Sequence, residues 1–226
     1  MKIVILMAGI GSRLGNPFPK CLTPLREGFS ILDHQLENLA AYNGQIIGVV
    51  GFKKDLIMER HPELLYVYNP RYDQTNTAKS LLGALEHVHD EDALWLNGDV
   101  VFDPRIVAEL LRCQHSCMAV TMGKVGDEEI KFTVDAAGFI NAVSKQVEQA
   151  LGEAVGINLV RSADLELFKA GLRDCADHDY FEKGLELAIA QGLKLRPLDA
   201  TRYPCIEIDF LADLAAARKL LDVPPS

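Results

Sequence analysis

Short apolar runs alternate with amphipathic stretches through the first half of this chain, and that alternation limits the fold more than any other feature. KIVILM, QIIGVVGF, LLYVYN and ALWLNGDVVF are compact apolar runs. Between them lie SILDHQLENLAAYN, DLIMERHP, NTAKSLLGALEHV and PRIVAELLRCQ, whose apolar residues recur at helical spacing. Runs of the first kind read as buried strands and those of the second kind as helices. Ser30 is placed to cap the first helix, Gly44 lies just past its end, and Pro104 starts the last one. Strands and helices in strict succession predict a parallel sheet with helices on both faces: an α/β, Rossmann-like three-layer sandwich.

After residue 115 the pattern changes. SCMAVTMG, IKFTVDAAGFINAVSK and AVGINLV read as strands joined by turns, which makes the sheet mixed and adds a small antiparallel extension. SADLELFKAGL, DYFEKGLELAIAQG and DLAAARKLL read as helices, and KLRPLDA and CIEID as short strands. With 226 residues and no repeat or linker, one domain spanning 1–226 is expected.

The first apolar run ends in Ala8-Gly9-Ile10-Gly11-Ser12-Arg13, with Pro19-Lys20 close behind. A glycine loop at the carboxyl end of a strand in an open α/β sheet is where ligands bind, because backbone N–H groups there can face phosphate oxygens. It is not a dinucleotide fingerprint: the third glycine, Gly15, comes one residue late, and Phe52-Lys53-Lys54 offers no acid for a ribose. Nor does a Gly-Lys-Ser/Thr close it as a P-loop would require. Arg13 and Lys20, flanking the glycines, are the cations that a triphosphate and a departing pyrophosphate require.

The strand ALWLN runs into Gly98-Asp99. An acid at the end of a buried strand is costly unless a cation pairs with it, and Mg²⁺ is such a cation. Glu207-Ile208-Asp209 alternates two carboxylates to one face of a short strand, so that one of them can complete a site with Asp99. His61, His87, His89 and His115 lie in polar stretches and are expected at the surface, and Trp95 in the core. Cys113 and Cys117, at i, i+4 spacing, lack the further ligands of a zinc site.

The charge balance is 23 basic against 32 acidic residues, which argues against a nucleic-acid partner. No apolar run is long enough to span a membrane, and no export signal is evident, so reduced thiols and a cytoplasmic location are expected.

LMAGIGSRLGNPFPKCLTPL is similar to the signature of nucleotidyltransferases with a glycosyltransferase-A-like fold, which open with Leu-Ala-Ala-Gly-x-Gly-x-Arg and a later Pro-Lys; here Met7 replaces the first alanine. LNGDVVF resembles their metal-aspartate strand and CIEIDFLADLAAA their closing Glu-Ile-Asp and helix. YNPRYDQTNTAKSLLGAL and Glu153-Ala-Val-Gly156-Ile157 resemble segments of the CTP-dependent branch, which acts on phosphocholine, inositol phosphate and phosphonates. The resemblance covers most of the chain. It implies transfer of CMP from CTP to a small anionic phosphomonoester or phosphonate, with release of pyrophosphate.

On that resemblance, Met7, Ala8, Gly9, Gly11, Ser12, Arg13, Lys20, Asn76, Ser80 and Gly98 bind the nucleotide, and Arg13 and Lys20 stabilise charge in the reaction. Asp99 and Asp209 hold Mg²⁺. Lys131, Lys145, Glu153 and Tyr180 lie where the acceptor is expected, while Phe181 and Glu182 belong either to that pocket or to an ordinary helix start. A homodimer is compatible with the sequence. The alternatives are a sugar-1-phosphate nucleotidylyltransferase using UTP, dTTP or GTP, and a non-catalytic nucleotide-sensing module.

Overall fold

The structure is a computed structural model that describes residues 1–221 apart from Ser12, Arg13 and Asn16. The first half of the chain forms β1 (Lys2–Met7), β2 (Pro24–Arg26), β3 (Phe29–Ser30), α1 (Ile31–Leu39), β4 (Gln45–Val50), α2 (Lys54–Arg60), β5 (Leu65–Tyr68) and α3 (Thr77–Leu85). It continues through β6 (Ala93–Asn97), β7 (Val100–Phe102) and α4 (Arg105–Arg112). The second half forms β8 (Ser116–Met122), β9 (Lys131–Val134), β10 (Ile140–Ser144), β11 (Gly152–Val160), α5 (Ser162–Asp174), α6 (Phe181–Ala190), β12 (Leu195–Asp199), β13 (Cys205–Glu207) and α7 (Leu211–Leu221).

Among the described residues, nine strands form one mixed sheet in the order β10-β9-β11-β6-β1-β4-β5, with β8 on β11 and β12 on β8. β1 pairs in parallel with β4 and β6, β4 with β5, and β12 with β8, while β11 runs antiparallel to β6, β8 and β9. Alternation along β1 sends Val4 and Leu6 to one face and Ile3, Ile5 and Met7 to the other. α3, α5 and α6 cover the first face, where Trp95 stacks on Phe168 with ring centroids 5.0 Å apart. α1, α2 and α4 cover the second. This is the expected three-layer sandwich, with its antiparallel extension made by β9 and β10.

Four local features differ from the sequence expectation. ALWLNGDVVF does not form one strand: Gly98 and Asp99 break it into β6 and β7, and β7 leaves the main sheet to pair with β13. Cys113 caps α4 and Cys117 lies on β8, so the two do not share a helix face. His61 is buried, beside Asp33 and Glu63. α1 opens with a full capping box, in which the Ser30 hydroxyl accepts from the Asp33 N–H and the Asp33 carboxylate accepts from the Ser30 N–H. α1 ends at Leu39, short of the expected Asn43.

β11 positions the extension. Its first residues, Gly152 and Glu153, pair with β9, and its last, Ile157–Val160, pair with β6. The register against β8 shifts between Ala154 and Asn158. Gly156 lies in that interval with φ of +73°, and a Cβ there would come within 2.8 Å of the Asn97 amide nitrogen. Only glycine takes that conformation without strain, so the bend is written into the sequence.

Candidate active site

A cleft of about 300 Å³ opens over the carboxyl ends of β1 and β6. One half is lined by Leu6, Met7, Gly9, Gly11, Lys20, Gly98 and Asp99, together with Glu207 and Asp209. The other half is lined by Lys145, Ala154, Gly156, Tyr180 and Glu182, among others.

Short-range packing sets the first half. Gly98 sits so close to β1 that its N–H donates to the Leu6 carbonyl at 2.9 Å, and a Cβ would lie 2.6 Å from that oxygen. Asp99 follows at once, its direction fixed by the turn. β13 then pairs antiparallel with β7, matching Glu207 to Val100, and the Ile208 N–H donates to the Asp99 carbonyl. Alternation buries Ile208 with Val101, Leu214 and Ala217, packs the half-buried Ile206 against them, and leaves Glu207 and Asp209 on the cleft side. Asp99 and Asp209 therefore meet through a small sheet that stands apart from the main one.

Asp99, Glu207 and Asp209 offer carboxylate oxygens that all lie within 4.8 Å of one another. The Lys20 ammonium donates to Asp99 Oδ2 and to Asp209 Oδ1, at 2.6 Å each. Burial alone would lower the Lys20 pKa, but the Asp99 charge and the hydrogen bonds to both aspartates outweigh it and raise the value. The Glu207 carboxyl is pushed up to about 8, first by desolvation within the cleft and then by the Asp99 and Asp209 charges. Asp99 Oδ1 is buried without a hydrogen-bond partner. A cluster of hard oxygen donors with one buried acceptor atom unsatisfied fits a divalent cation such as Mg²⁺. Cys21 also borders the cleft, but burial pushes its thiol up to about 12 and it offers no thiolate near neutrality. The described residues that line the cleft include no serine or histidine.

The other predicted residues divide. Met7, Gly9, Gly11, Lys20 and Gly98 line the cleft, as do Lys145 and Tyr180. Ala8 is buried behind the loop, where its carbonyl accepts from the Phe52 N–H. Ser12 and Arg13 lie outside the described residues. Asn76 and Ser80 do not border the cleft: the Asn76 side chain caps α3, and the buried Ser80 hydroxyl accepts from Asn69. Thr77 borders it instead. Lys131 turns to the far side of the extension and donates to the carbonyls of Asp127 and Lys145. Glu153 accepts from the Thr121 hydroxyl at 3.3 Å.

Glu182 lines the cleft from the first turn of α6 and is 7% exposed. Burial pushes its carboxyl up to about 7, against smaller downward pulls from a hydrogen bond donated by its own backbone N–H and from Lys145. Its sequence context, Tyr180-Phe181-Glu182, gave no sign of that burial.

A family model described as a MobA-like NTP transferase domain matches residues 3–194. The bifunctional protein GlmU of Methanococcus maripaludis is 33% identical over 173 residues, which is 74% of this chain and 40% of that protein. The CMP-5'-(3-aminopropyl)phosphonate synthase of Streptomyces rubellomurinus is 38% identical over 120 residues, 49% of this chain and 19% of that protein. The chain thus spans less than half the length of either relative. Among solved structures, a CTP:phosphocholine cytidylyltransferase from Streptococcus pneumoniae matches with a TM-score of 0.78 at 17% identity, over 98% of this chain and 99% of that one. An inositol-1-phosphate CTP transferase from T. maritima has the same TM-score and identity, over 100% and 98%. A putative glucose-1-phosphate thymidylyltransferase from Bacillus anthracis also reaches 0.78, at 15% identity, over 100% and 97%. These likenesses establish the glycosyltransferase-A-like nucleotidyltransferase fold.

Proposed function

Because this chain belongs to the MobA-like NTP transferase domain family, we propose that it transfers CMP from CTP to a small phosphomonoester or phosphonate. The observation that carries this reading is a cleft whose one half joins a glycine loop and Lys20 to a carboxylate cluster, and whose other half is open to a second substrate. An anionic oxygen of the acceptor attacks the α-phosphorus of the triphosphate. A new P–O bond forms, the bond from that phosphorus to its bridging oxygen breaks, and pyrophosphate leaves. The nucleophile is already ionised, so the chain's task is alignment and charge stabilisation.

Gly9 and Gly11 let the backbone come close to the phosphates. Lys20, with Arg13 from the same loop, meets the charge that develops on the phosphoryl oxygens. Asp99 and Asp209, with Glu207 beside them, would hold Mg²⁺, which supplies further charge neutralisation on the phosphates when bound. Lys145 is placed for the acceptor anion.

The choice of CTP rests on the Asn76–Ser80 resemblance and on the relatives named for CTP or CMP. The runner-up is a sugar-1-phosphate nucleotidylyltransferase using UTP, dTTP or GTP, a reading supported by the equal structural likeness to the thymidylyltransferase. Pyrophosphate release, measured with each triphosphate and Mg²⁺ against phosphonates, phosphocholine, polyol phosphates and sugar 1-phosphates, separates them. CTP with a phosphomonoester or phosphonate should give the highest kcat/KM; better use of UTP or dTTP with a sugar 1-phosphate would select the runner-up.

A further inference from the structure

Two helix starts that border the cleft, those of α3 and α6, cap each other. α6 has no cap of its own: the Tyr180 side chain, at its N-cap, makes no bond to the helix. The Phe181 N–H donates instead to the Thr77 hydroxyl, at 3.0 Å, from the first turn of α3. In return the segment leading into α6 accepts from α3. The Asn76 N–H donates to the Asp177 carbonyl at 2.8 Å, and the Ala78 N–H to the Asp179 carbonyl at 3.3 Å. An exposed ion pair, Arg71 with Asp177 at 2.6 Å, joins the same two segments.

The turn held in this way carries much of the acceptor half. Tyr180 and Glu182 flank Phe181 and line the cleft. Phe181 anchors the turn from beneath, buried edge-on to Trp95 with ring centroids 5.6 Å apart. The Tyr180 ring centre lies 5.4 Å from the ammonium of Lys145, the cation placed for the acceptor anion. A shift of the turn therefore moves the ring on which that cation rests. The Glu182 N–H is taken by its own carboxylate. Among the described residues, Thr77 thus supplies the one side chain from outside α6 that bonds an N–H of its first turn.

Resting on the transferase reading above, we infer that Thr77 is a positioning residue for the acceptor: its hydroxyl caps α6 from another helix and so fixes Tyr180 and Lys145 where the acceptor anion binds. Thr77 itself borders the cleft, so its competing role is a direct contact with the nucleotide. The two roles move different constants. A cap that sets the acceptor half acts on the acceptor KM, and a nucleotide contact acts on the KM for the triphosphate.

The test compares Thr77→Val, which keeps the branched shape and removes the accepting oxygen, with Thr77→Ser, which keeps the oxygen. Two measurements are made on the full chain. Amide hydrogen exchange without ligands reads the cap. Thr77→Val should speed exchange across residues 181–184 by about fivefold to tenfold, the scale of one lost helix cap, and Thr77→Ser should stay within about twofold of wild type. Steady-state kinetics with CTP, Mg²⁺ and the same phosphonates, phosphocholine, polyol phosphates and sugar 1-phosphates read the consequence. In Thr77→Val the acceptor KM should rise by about fivefold to tenfold while the KM for CTP stays within about twofold, and Thr77→Ser should restore the acceptor KM. Loss of folded protein would lower kcat and leave both KM values in place, so the split separates positioning from stability. Turnover with unchanged exchange at 181–184, with an unmoved acceptor KM, or with a shift confined to the KM for CTP would overturn this inference and leave the transfer reading standing. A wild-type protein that turns over no triphosphate with any of these acceptors would overturn the transfer reading, and this inference with it.

Discussion

The ammonium of Lys20 lies 2.6 Å from Oδ2 of Asp99, a residue 79 positions further along the chain, and it reaches Asp209 at the same distance. A lysine just beyond the glycine loop thus bridges two of the three clustered carboxylates. Loop and carboxylate cluster are coupled before any substrate arrives.

That coupling makes Lys20→Ala act in two directions. Turnover should fall by about a hundredfold, on the scale of ~3 kcal/mol for loss of one charge-stabilising donor. Binding of Mn²⁺ or Mg²⁺ to the nucleotide-free protein, followed by calorimetry, should become tighter, because the ion no longer competes with an ammonium for the same oxygens. Weaker metal binding in this variant would show that lysine and metal do not share ligands.

Asp99→Asn and Asp209→Asn should each remove nearly all activity and weaken the divalent ion, since an amide is a poor ligand for a hard dication. The double variant should be little worse than either single one, because two ligands of one ion act together. Additive losses in kcat/KM would argue for separate roles.

Gly98→Ala tests the close approach of β1 to the β6–β7 turn. The added methyl would meet the Leu6 carbonyl at 2.6 Å and Met7 Cγ at 2.8 Å. A backbone carbonyl and the root of the Met7 side chain leave little room to yield. The melting temperature should drop, consistent with about 1–3 kcal/mol of overpacking, and turnover should drop with it as Asp99 is displaced. An unchanged kcat would mean that Asp99 keeps its place without help from this contact.

The pH dependence of stability should carry a contribution from Glu182. Burial pushes its carboxyl up to about 7, while the unfolded chain keeps the ordinary value of 4.5. Between those values the folded protein holds a proton that the unfolded chain has released. Stability is therefore lost as pH rises through this interval, and the loss is complete above it. Lys145, Glu128, Glu129 and Glu207 line the same cleft, and Lys145 opposes the shift. The unfolding free energy of Glu182→Gln, from chemical denaturation, should be near that of wild type at about pH 5 and higher at about pH 8, by an amount on the order of 3 kcal/mol at most. A difference that does not grow with pH would place the carboxyl outside this titration.

Ser30→Ala should cost about 1 kcal/mol through the lost capping box, with kcat unchanged. Chemical denaturation and a turnover assay on the same preparation check both halves of that expectation.

Much of this was legible in the sequence because local signals and tertiary structure agree. Five apolar residues ending in Ala8-Gly9 can do little else but form a central strand opening into a loop, and β1 lies at the middle of the sheet with parallel partners on both sides. What was hidden depended on contacts distant in the chain. Nothing in CIEID announces that β13 pairs with β7 outside the main sheet; alternation offered only one of Glu207 and Asp209 as a companion to Asp99, and the choice of Asp209 came from the resemblance. Asn76 and Ser80 stand four apart, a spacing that suggests one helix face. Asn76 instead ends outside the helix as its cap, and Thr77 takes the place beside the cleft. The burial of Glu182 is set by the extension closing over α6, which no window of a few residues contains.

The pairing of β7 with β13, only three residues long and held by α7 over Leu25, Ile31, Val101 and Ile208, has a thermodynamic consequence of its own. Small units with their own apolar cluster open at lower free energy than the sheet they lean on. Glu207 and Asp209 sit on that unit, while Asp99 lies in the turn that joins β7 to the main sheet. If these carboxylates hold an ion, its affinity is linked to a sub-global opening equilibrium, and an ion bound across the boundary adds RT ln(1 + c/Kd), where c is the free ion concentration, to the protection of the β13 and α7 amides from hydrogen exchange. Heating would abolish ion binding before the nine-stranded sheet begins to melt.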